Sequence, residues 1–231
     1  MLWLFFIIIT AAVGSQFFVS KLYEKVAIGP VSQKTIKIVL AGDIMLDRGV
    51  QYMIEKEGNG DFKFPFLKIA DELNGADIVF GNLEGPISDK GTKVGSIYSF
   101  RNDPKAIKGL TFAGFNVISL ANNHAFDYGR EALEDTLERL KNAGIDYVGF
   151  GPAAIKDIRG TKIAFLAYTA FGAAKISESD FEKVRQEIKT AKEETDILIV
   201  SLHAGEEYQK TPSQFQIDFF KIAYEAGADM V

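Results

Sequence analysis

Polar side chains of the kinds that bind metal ions follow four strand-like segments of the chain. They are Asp43, then Asn82 and Glu84, then Asn123 and His124, and finally His203. Both histidines of the chain are among them. Imidazole nitrogens and carboxylate oxygens are the usual ligands of zinc, manganese and iron. Because ligands bind beyond the carboxyl ends of the strands in α/β sheets, we expect these side chains to converge on a metal site.

Such a site is suited to hydrolysis, because two ions held about 4 Å apart can stabilise both the attacking and the leaving oxygen of a phosphoryl transfer. Each residue also has a structural alternative. Asp43, Asn82 and Glu84 can be turn or rim residues, Asn123 can adopt a left-handed backbone, and a lone histidine can be a hydrogen-bonded, half-buried residue. Their joint occurrence at the ends of four strands favours the metal site.

The segments that must position these residues alternate between strand-like and helix-like patterns. Strands are predicted at 35–41, 77–80, 116–120, 146–150 and 196–202, with a hairpin over 155–158 and 162–168. Helices are predicted at 64–74, 105–113, 130–143, 178–192 and 213–225; Phe66, Leu67, Ala70 and Leu73 share one side of the first. This alternation predicts a layered α/β domain with a largely parallel sheet covered on both faces.

The first twenty residues contain no charged side chain. A run of about 20 residues is just long enough to cross a bilayer as a helix. We interpret residues 1–20 as a hydrophobic helix, either a signal anchor or a signal peptide cleaved near Ala12-Val13-Gly14. Residues 21–34 then form a linker. We therefore expect a cell-membrane, single-pass or exported protein, bound to the membrane through residues 1–20, with its domain outside the cytoplasm.

Composition excludes several other classes of function. The 231-residue chain has a formal net charge of −5 and no cysteine. A general nucleic-acid-binding protein usually presents a basic surface to phosphates, so we expect no nucleic-acid partner. Without cysteine, disulfides, zinc–thiolate sites and cysteine nucleophiles are impossible.

Four ordered motifs carry a resemblance to a known family. They are GDIMLDR at 42–48, GNLEGP at 81–86, SLANNHAFDYG at 119–129 and SLHAGEEY at 201–208. Together they resemble the CapA-type family, which is linked to poly-γ-glutamate capsule synthesis and has a calcineurin-like metallophosphatase fold. The resemblance covers about residues 35–231. It departs at Ala204, where the family usually has tryptophan.

The resemblance implies a cofactor of two divalent ions, manganese, iron or zinc. It implies metal-ligand roles for Asp43, Asn82, Glu84, Asn123 and His203. Asn82 stands where related phosphoesterases carry a bridging aspartate, and an amide bridges two cations less well. The family also supplies further ligands from a Gly-His-x-x-His loop after the last strand, whereas residues 228–231 resemble the opening of another strand. We therefore expect a domain incomplete at its C-terminus, with weak metal retention and little activity from this chain.

The resemblance also implies catalytic roles. His124 resembles the general acid that protonates a leaving oxygen. Glu84 either binds metal or orients His124, and Asp127 either orients His124 or fixes the turn into the next helix. Arg48 and Arg101 are candidates for binding an anionic substrate.

Three functions remain open at this point. The first is a metal-dependent hydrolase of phosphoesters or of a polymer-linked bond in capsule synthesis. The second is a non-catalytic, membrane-tethered component that binds the anionic polymer alongside other capsule-synthesis membrane proteins. The third is a generic metallophosphoesterase or nucleotidase unrelated to capsules. The acidic net charge suits an anionic polymer poorly, so polymer binding would depend on metal ions and local arginines.

Overall fold

A computed structural model describes residues 35–94 and 96–231. The predicted hydrophobic helix at 1–20 and the linker at 21–34 lie outside the described residues. Within the described part of the chain, no helix is long and apolar enough to cross a membrane.

The first half of the domain is a four-stranded parallel sheet with helices on one face. Its strands, in spatial order, are β1 (Ile38–Ile44), β2 (Ile78–Leu83), β3 (Val117–Ser119) and β4 (Asp146–Val148). The helices between them are α1 (Arg48–Lys56), α2 (Ala70–Asn74), α3 (Ala106–Phe112) and α4 (Gly129–Asn142). Leu110 and Leu140 from these helices pack with Leu83 and Ile118 of the sheet in one buried core.

The second half is a three-stranded mixed sheet with its own helices. Strands β5 (Ala154–Ile158) and β6 (Thr161–Thr169) form the predicted hairpin, and β7 (Ile197–His203) lies parallel to β6. Helices α5 (Phe181–Glu193) and α6 (Gln214–Glu225) pack against this sheet through Ile188 and Phe219. Met230 forms an isolated parallel bridge with Ile199, which agrees with the strand-like character predicted for residues 228–231.

The two sheets pack face to face. The rings of Phe80 on β2 and Phe165 on β6 are stacked with centroids 5.5 Å apart, and Val117 and Ile199 are buried in the same cluster. The domain therefore has four layers, helix–sheet–sheet–helix, and not the single sheet covered by helices on both faces that was predicted. The physical reason is that β2 is buried along its whole length, and a second apolar sheet satisfies its inner face as well as helices would.

Two local elements also differ from the prediction. The helix predicted at 64–74 is a 3₁₀ turn at Phe64–Phe66 followed by α2, and Leu67 is 60% exposed instead of buried. Pro65 fits the first turn of a helix, but the chain leaves helical geometry before α2 begins. Helix α1 was not predicted. It begins after Asp47, whose carboxylate accepts a hydrogen bond from the Arg48 backbone N–H.

Candidate metal and hydrolase site

The polar strand-end residues meet at one edge of the domain. Asp43 on β1 lies opposite Asn82 on β2, and Asn82 lies opposite Ser119 on β3. A β-bulge between Leu40 and Asp43 adds one residue to β1 immediately before the site. Bulges re-aim side chains in this way. His203, the last residue of β7, brings the fourth strand end from the second sheet.

Three of these residues form a group suited to a divalent ion. Asp43, Glu84 and His203 each offer one ligand atom, and the three atoms lie within 4.8 Å of one another. The Asn123 Oδ1 atom lies 2.9 Å from His203 Nε2, so a fourth donor atom, an amide oxygen, borders the group. Two carboxylates, an imidazole and an amide oxygen are a donor set that fits manganese, iron or zinc. Among the residues that the structure describes, this is the one such cluster of acidic and imidazole side chains.

Asn82 lies among these ligands, but its nitrogen faces them. Its Nδ2 atom is 2.7 Å from Asp43 Oδ1, 2.9 Å from Glu84 Oε1 and 3.3 Å from His203 Nδ1. Its oxygen points away and accepts a hydrogen bond from the Asn122 side chain at 3.0 Å. The geometry therefore gives Asn82 a donor at the point where a ligand oxygen was expected.

His124 is held beside this group with one ring nitrogen directed at it. Its Nδ1 atom is 2.7 Å from Asp127 Oδ2, and its Nε2 atom is 3.6 Å from Glu84 Oε2. The ring of Phe100 covers the imidazole, with centroids 4.0 Å apart. The same Asp127 oxygen accepts the Phe100 backbone N–H at 2.7 Å, so the carboxylate positions both rings. An imidazole bound by a carboxylate at Nδ1 keeps Nε2 available for proton transfer.

Burial and charge shift the pKa values of two side chains in this group. Burial raises the pKa of the Glu84 carboxyl from 4.5 to about 7, and the negative charge of Asp43 adds to this effect. The hydrogen bond from Asn82 acts in the opposite direction. Burial also lowers the pKa of the His203 imidazole, against the opposing attraction of Asp43. A neutral imidazole is the form that binds metal, so this shift prepares His203 as a ligand.

Several residues that hold the site together were not predicted from the sequence. Asn102 is fully buried and joins two strand ends: its Oδ1 accepts the Leu46 N–H at 2.8 Å, and its Nδ2 donates to the Glu84 carbonyl at 3.0 Å. Asn102 comes from a loop with no periodic pattern, so no signal marked it. Asn122 directly precedes the predicted ligand Asn123 in the SLANNHAFDYG motif, and this position is the one sequence signal for it.

Two glycines let the backbone approach the site closely. Gly85 follows Glu84 with φ of +82°, where a side chain would lie 2.8 Å from the Phe100 Cβ atom. Gly172 has φ of +70°, and a Cβ there would be 2.8 Å from the Asn123 Cα atom. Both positions therefore require glycine. Gly85 allows the turn after Glu84, and Gly172 allows close packing against Asn123.

The two predicted substrate-binding arginines lie in different surroundings. The Arg48 guanidinium lies 5.4 Å from the centroid of the Phe100 ring, which itself covers His124. Arg101 lies 4.2 Å from the centroid of the Tyr128 ring and lines a separate polar cavity of about 360 Å³. The cleft over the Asp43 and His203 side chains has a volume of about 840 Å³. Its lining includes Asp43, Asn123, Phe171, His203 and the loop at 204–207 and 209–212.

Comparison with known proteins gives a consistent result. Residues 37–231 match the family described as bacterial capsule synthesis protein PGA_cap. The chain is 30% identical to the capsule biosynthesis protein CapA of Bacillus anthracis, over 89% of this chain and 56% of that protein. It is 29% identical to the PGA biosynthesis protein CapA of Bacillus subtilis (strain 168), over 87% of this chain and 57% of that protein. The chain thus spans about half the length of these relatives.

A solved structure shares the fold. A novel phosphatase from Mycoplasma pneumoniae superimposes with a TM-score of 0.51 and 18% sequence identity, over 83% of this chain and 61% of that one. At this identity the likeness concerns the fold. It supports the mixed α/β architecture with parallel strands that the sequence predicted.

Proposed function

Because the chain belongs to the bacterial capsule synthesis protein PGA_cap family, we propose that it is a divalent-ion-dependent hydrolase of capsule synthesis. The class of substrate is a phosphoester or a polymer-linked bond in the assembly of a poly-γ-glutamate-type polymer. The observation that carries the proposal is the placement of the His124–Asp127 pair beside the ligand group Asp43, Glu84 and His203.

The ion would be held by Asp43, Glu84, His203 and the oxygen of Asn123. When bound, it would supply Lewis acidity, polarising an oxygen of the substrate and lowering the pKa of water. The resemblance implies two such ions of manganese, iron or zinc, and the donor set described above fits at least one.

His124 would act as the general acid. Asp127 fixes the ring through Nδ1, so Nε2 of the imidazolium form would present its proton on the side that faces Glu84. Phe100 covers one face of the ring and shields it from solvent. A positioned acid of this kind typically contributes about 10²–10⁴-fold to a rate. Asp127 is therefore a positioning residue, and His124 is the residue that would touch the substrate.

The charges that line the cleft determine the conditions under which an anionic substrate can bind. Asp43, Glu206 and Glu207 line the cleft with Lys210 as a single basic neighbour in the lining. Without a bound ion, this acidic lining would repel a polyanion, so anionic groups should enter the cleft only when the ion is present. The Arg48 guanidinium lies over the Phe100 ring that covers His124, so Arg48 is the candidate arginine for an anionic group of the substrate.

The test measures hydrolysis of a chromogenic phosphoester and of nucleotides, and binding and cleavage of poly-γ-glutamate, in excess Mn²⁺. Wild type is compared with His124→Asn, which leaves the three clustered ligands in place. Excess ion offsets weak metal retention, so we expect low but measurable turnover in wild type, at least about 100-fold slower turnover in the variant, and equal Mn²⁺ binding. Polymer binding without turnover in both proteins would replace this proposal with the non-catalytic, polymer-binding component. Turnover of nucleotides alone would replace it with the generic nucleotidase.

We also propose that residues 1–20 attach the protein to the cell membrane, with the domain outside the cytoplasm and within reach of other capsule-synthesis membrane proteins. The support is the absence of charge in residues 1–20. Protease added to intact spheroplasts should then digest the domain. Protection of the domain until the cells are lysed would contradict this placement.

A further inference from the structure

The amide of Asn82 occupies the centre of the proposed ion site with its N–H groups toward the ligands. Its nitrogen is 2.7 Å from the Asp43 carboxylate, 2.9 Å from the Glu84 carboxylate and 3.3 Å from His203 Nδ1. An N–H donor and a cation compete for the same oxygen and nitrogen lone pairs. The amide therefore occupies part of the space and the bonding capacity that a second cation would need.

A neighbouring asparagine fixes this orientation. Asn122 is buried, donates to the Leu83 carbonyl at 2.8 Å and accepts the His124 backbone N–H at 2.9 Å. Both partners are backbone groups, so the donor and acceptor ends of Asn122 are determined without reference to Asn82. Its Nδ2 atom then lies 3.0 Å from Asn82 Oδ1. Turning the Asn82 amide over would bring two buried N–H donors together, which is unfavourable.

We propose that Asn82 is a hydrogen-bond donor that holds the ligand carboxylates together, that Asn122 fixes it in this role, and that the site consequently takes one divalent ion instead of two. The inference rests on the proposed function for the presence of an ion. It differs from the role that the family resemblance implies for Asn82, which is that of a ligand.

The test counts Mn²⁺ ions bound to the full 231-residue chain, by equilibrium dialysis and by electron paramagnetic resonance. In Asn82→Asp, one carboxylate oxygen still accepts from Asn122, and the other replaces the N–H that faces the ligands. Asn142→Asp, an exposed substitution on α4, adds the same charge away from the site and is the matched control. Wild type and the control should bind one ion with the resolved hyperfine spectrum of an isolated Mn²⁺. Asn82→Asp should bind two spin-coupled ions, with affinity raised at least about tenfold.

The outcomes separate this inference from the proposed function. Two coupled ions in wild type, or one ion in both wild type and Asn82→Asp, would overturn the inference and leave the hydrolase proposal standing. No ion in wild type with ions gained in Asn82→Asp would overturn the hydrolase proposal and leave the donor role of Asn82 standing. No ion in either protein would overturn both.

A second variant tests the part played by Asn122. In Asn122→Ala, the Asn82 amide is free to turn its oxygen toward the ligands. We expect the folded variant, checked by circular dichroism, to bind more Mn²⁺ than wild type at equal free concentration. A purely structural role for Asn122 would only weaken binding, so unchanged or weaker binding would contradict its positioning role.

Discussion

Replacing Glu84 with glutamine should flatten the pH dependence of the stability of the ion-free protein. Glu84 is buried at the strand end, 2.9 Å from the Asn82 amide, and shares its surroundings with the Asp43 carboxylate. Burial, followed by the charge of Asp43, raises its pKa from 4.5 to about 7. Between these two pH values the native state binds more protons at this position than the unfolded chain does.

The sign and size of the effect follow directly. The stabilising contribution of protonated Glu84 is fully present below pH 4.5 and is lost as the pH rises through about 7. At about 1.4 kcal/mol for each pKa unit, the full difference between 4.5 and 7 corresponds to about 3 kcal/mol. The cleft admits solvent on one side, and screening reduces this to about 2 kcal/mol. Glutamine cannot ionise, so the variant does not lose stability through this position as the pH rises.

The assay is urea unfolding of wild type and Glu84→Gln between pH 4.5 and pH 8.5, with a chelator present. Subtracting the two free energies of unfolding cancels every other titrating group that the two proteins share. We expect the difference to change by about 2 kcal/mol in favour of the variant as the pH rises. A difference that stays constant across this range would refute the buried, charge-coupled environment of Glu84. Saturating Mn²⁺ should reverse the trend in wild type, because the ion binds the deprotonated ligand.

Two further perturbations test the surroundings of the site. Asp127→Asn should lower kcat by at least about tenfold with a smaller change in KM, because His124 loses its fixed orientation. Circular dichroism and the concentration of active sites must show that the variant is folded, and an unchanged kcat in the folded variant would contradict the positioning role. Asp135→Asn should lower the free energy of unfolding by about 1–3 kcal/mol, because Asp135 is buried and accepts hydrogen bonds from Ser88 and Arg139. Burial acts to raise the pKa of Asp135, but these hydrogen bonds hold it at about 2. Wild type should therefore lose the stability that ionised Asp135 contributes as the pH falls from about 4 toward 2, and the variant should not. Urea unfolding of both proteins at acid pH measures this difference.

The convergence of the strand ends could be predicted from sequence because its cause is local. Each apolar, β-branched run is followed at once by polar residues, and parallel strands place those residues at one edge. Asp43, Asn82 and His203 accordingly lie within one cluster. The family resemblance was also confirmed, since the matched family covers residues 37–231.

The stacking of the two sheets, the cover over His124 and the orientation of the Asn82 amide depend on contacts between distant segments. A pattern of residue types does not encode such contacts. A strand is equally apolar whether its sheet packs against a second sheet or lies between two layers of helices. The sequence of β2 alone therefore could not distinguish these two architectures. Phe100 covers His124, and it reaches that position through an irregular loop. The orientation of the Asn82 amide is set by Asn122 together with the backbone at Leu83.

If the strand-end cluster binds a divalent ion and performs hydrolysis with it, bound metal and turnover must rise together. The most direct measurement is a Mn²⁺ titration of the full chain in which bound metal and phosphoester turnover are recorded together, beside an Asn123→Ala/His203→Ala double variant. We expect turnover in wild type to rise in parallel with ion occupancy, and the double variant, though folded, to lose both. Turnover independent of Mn²⁺, or a folded wild type that binds no ion and is inert, would contradict it.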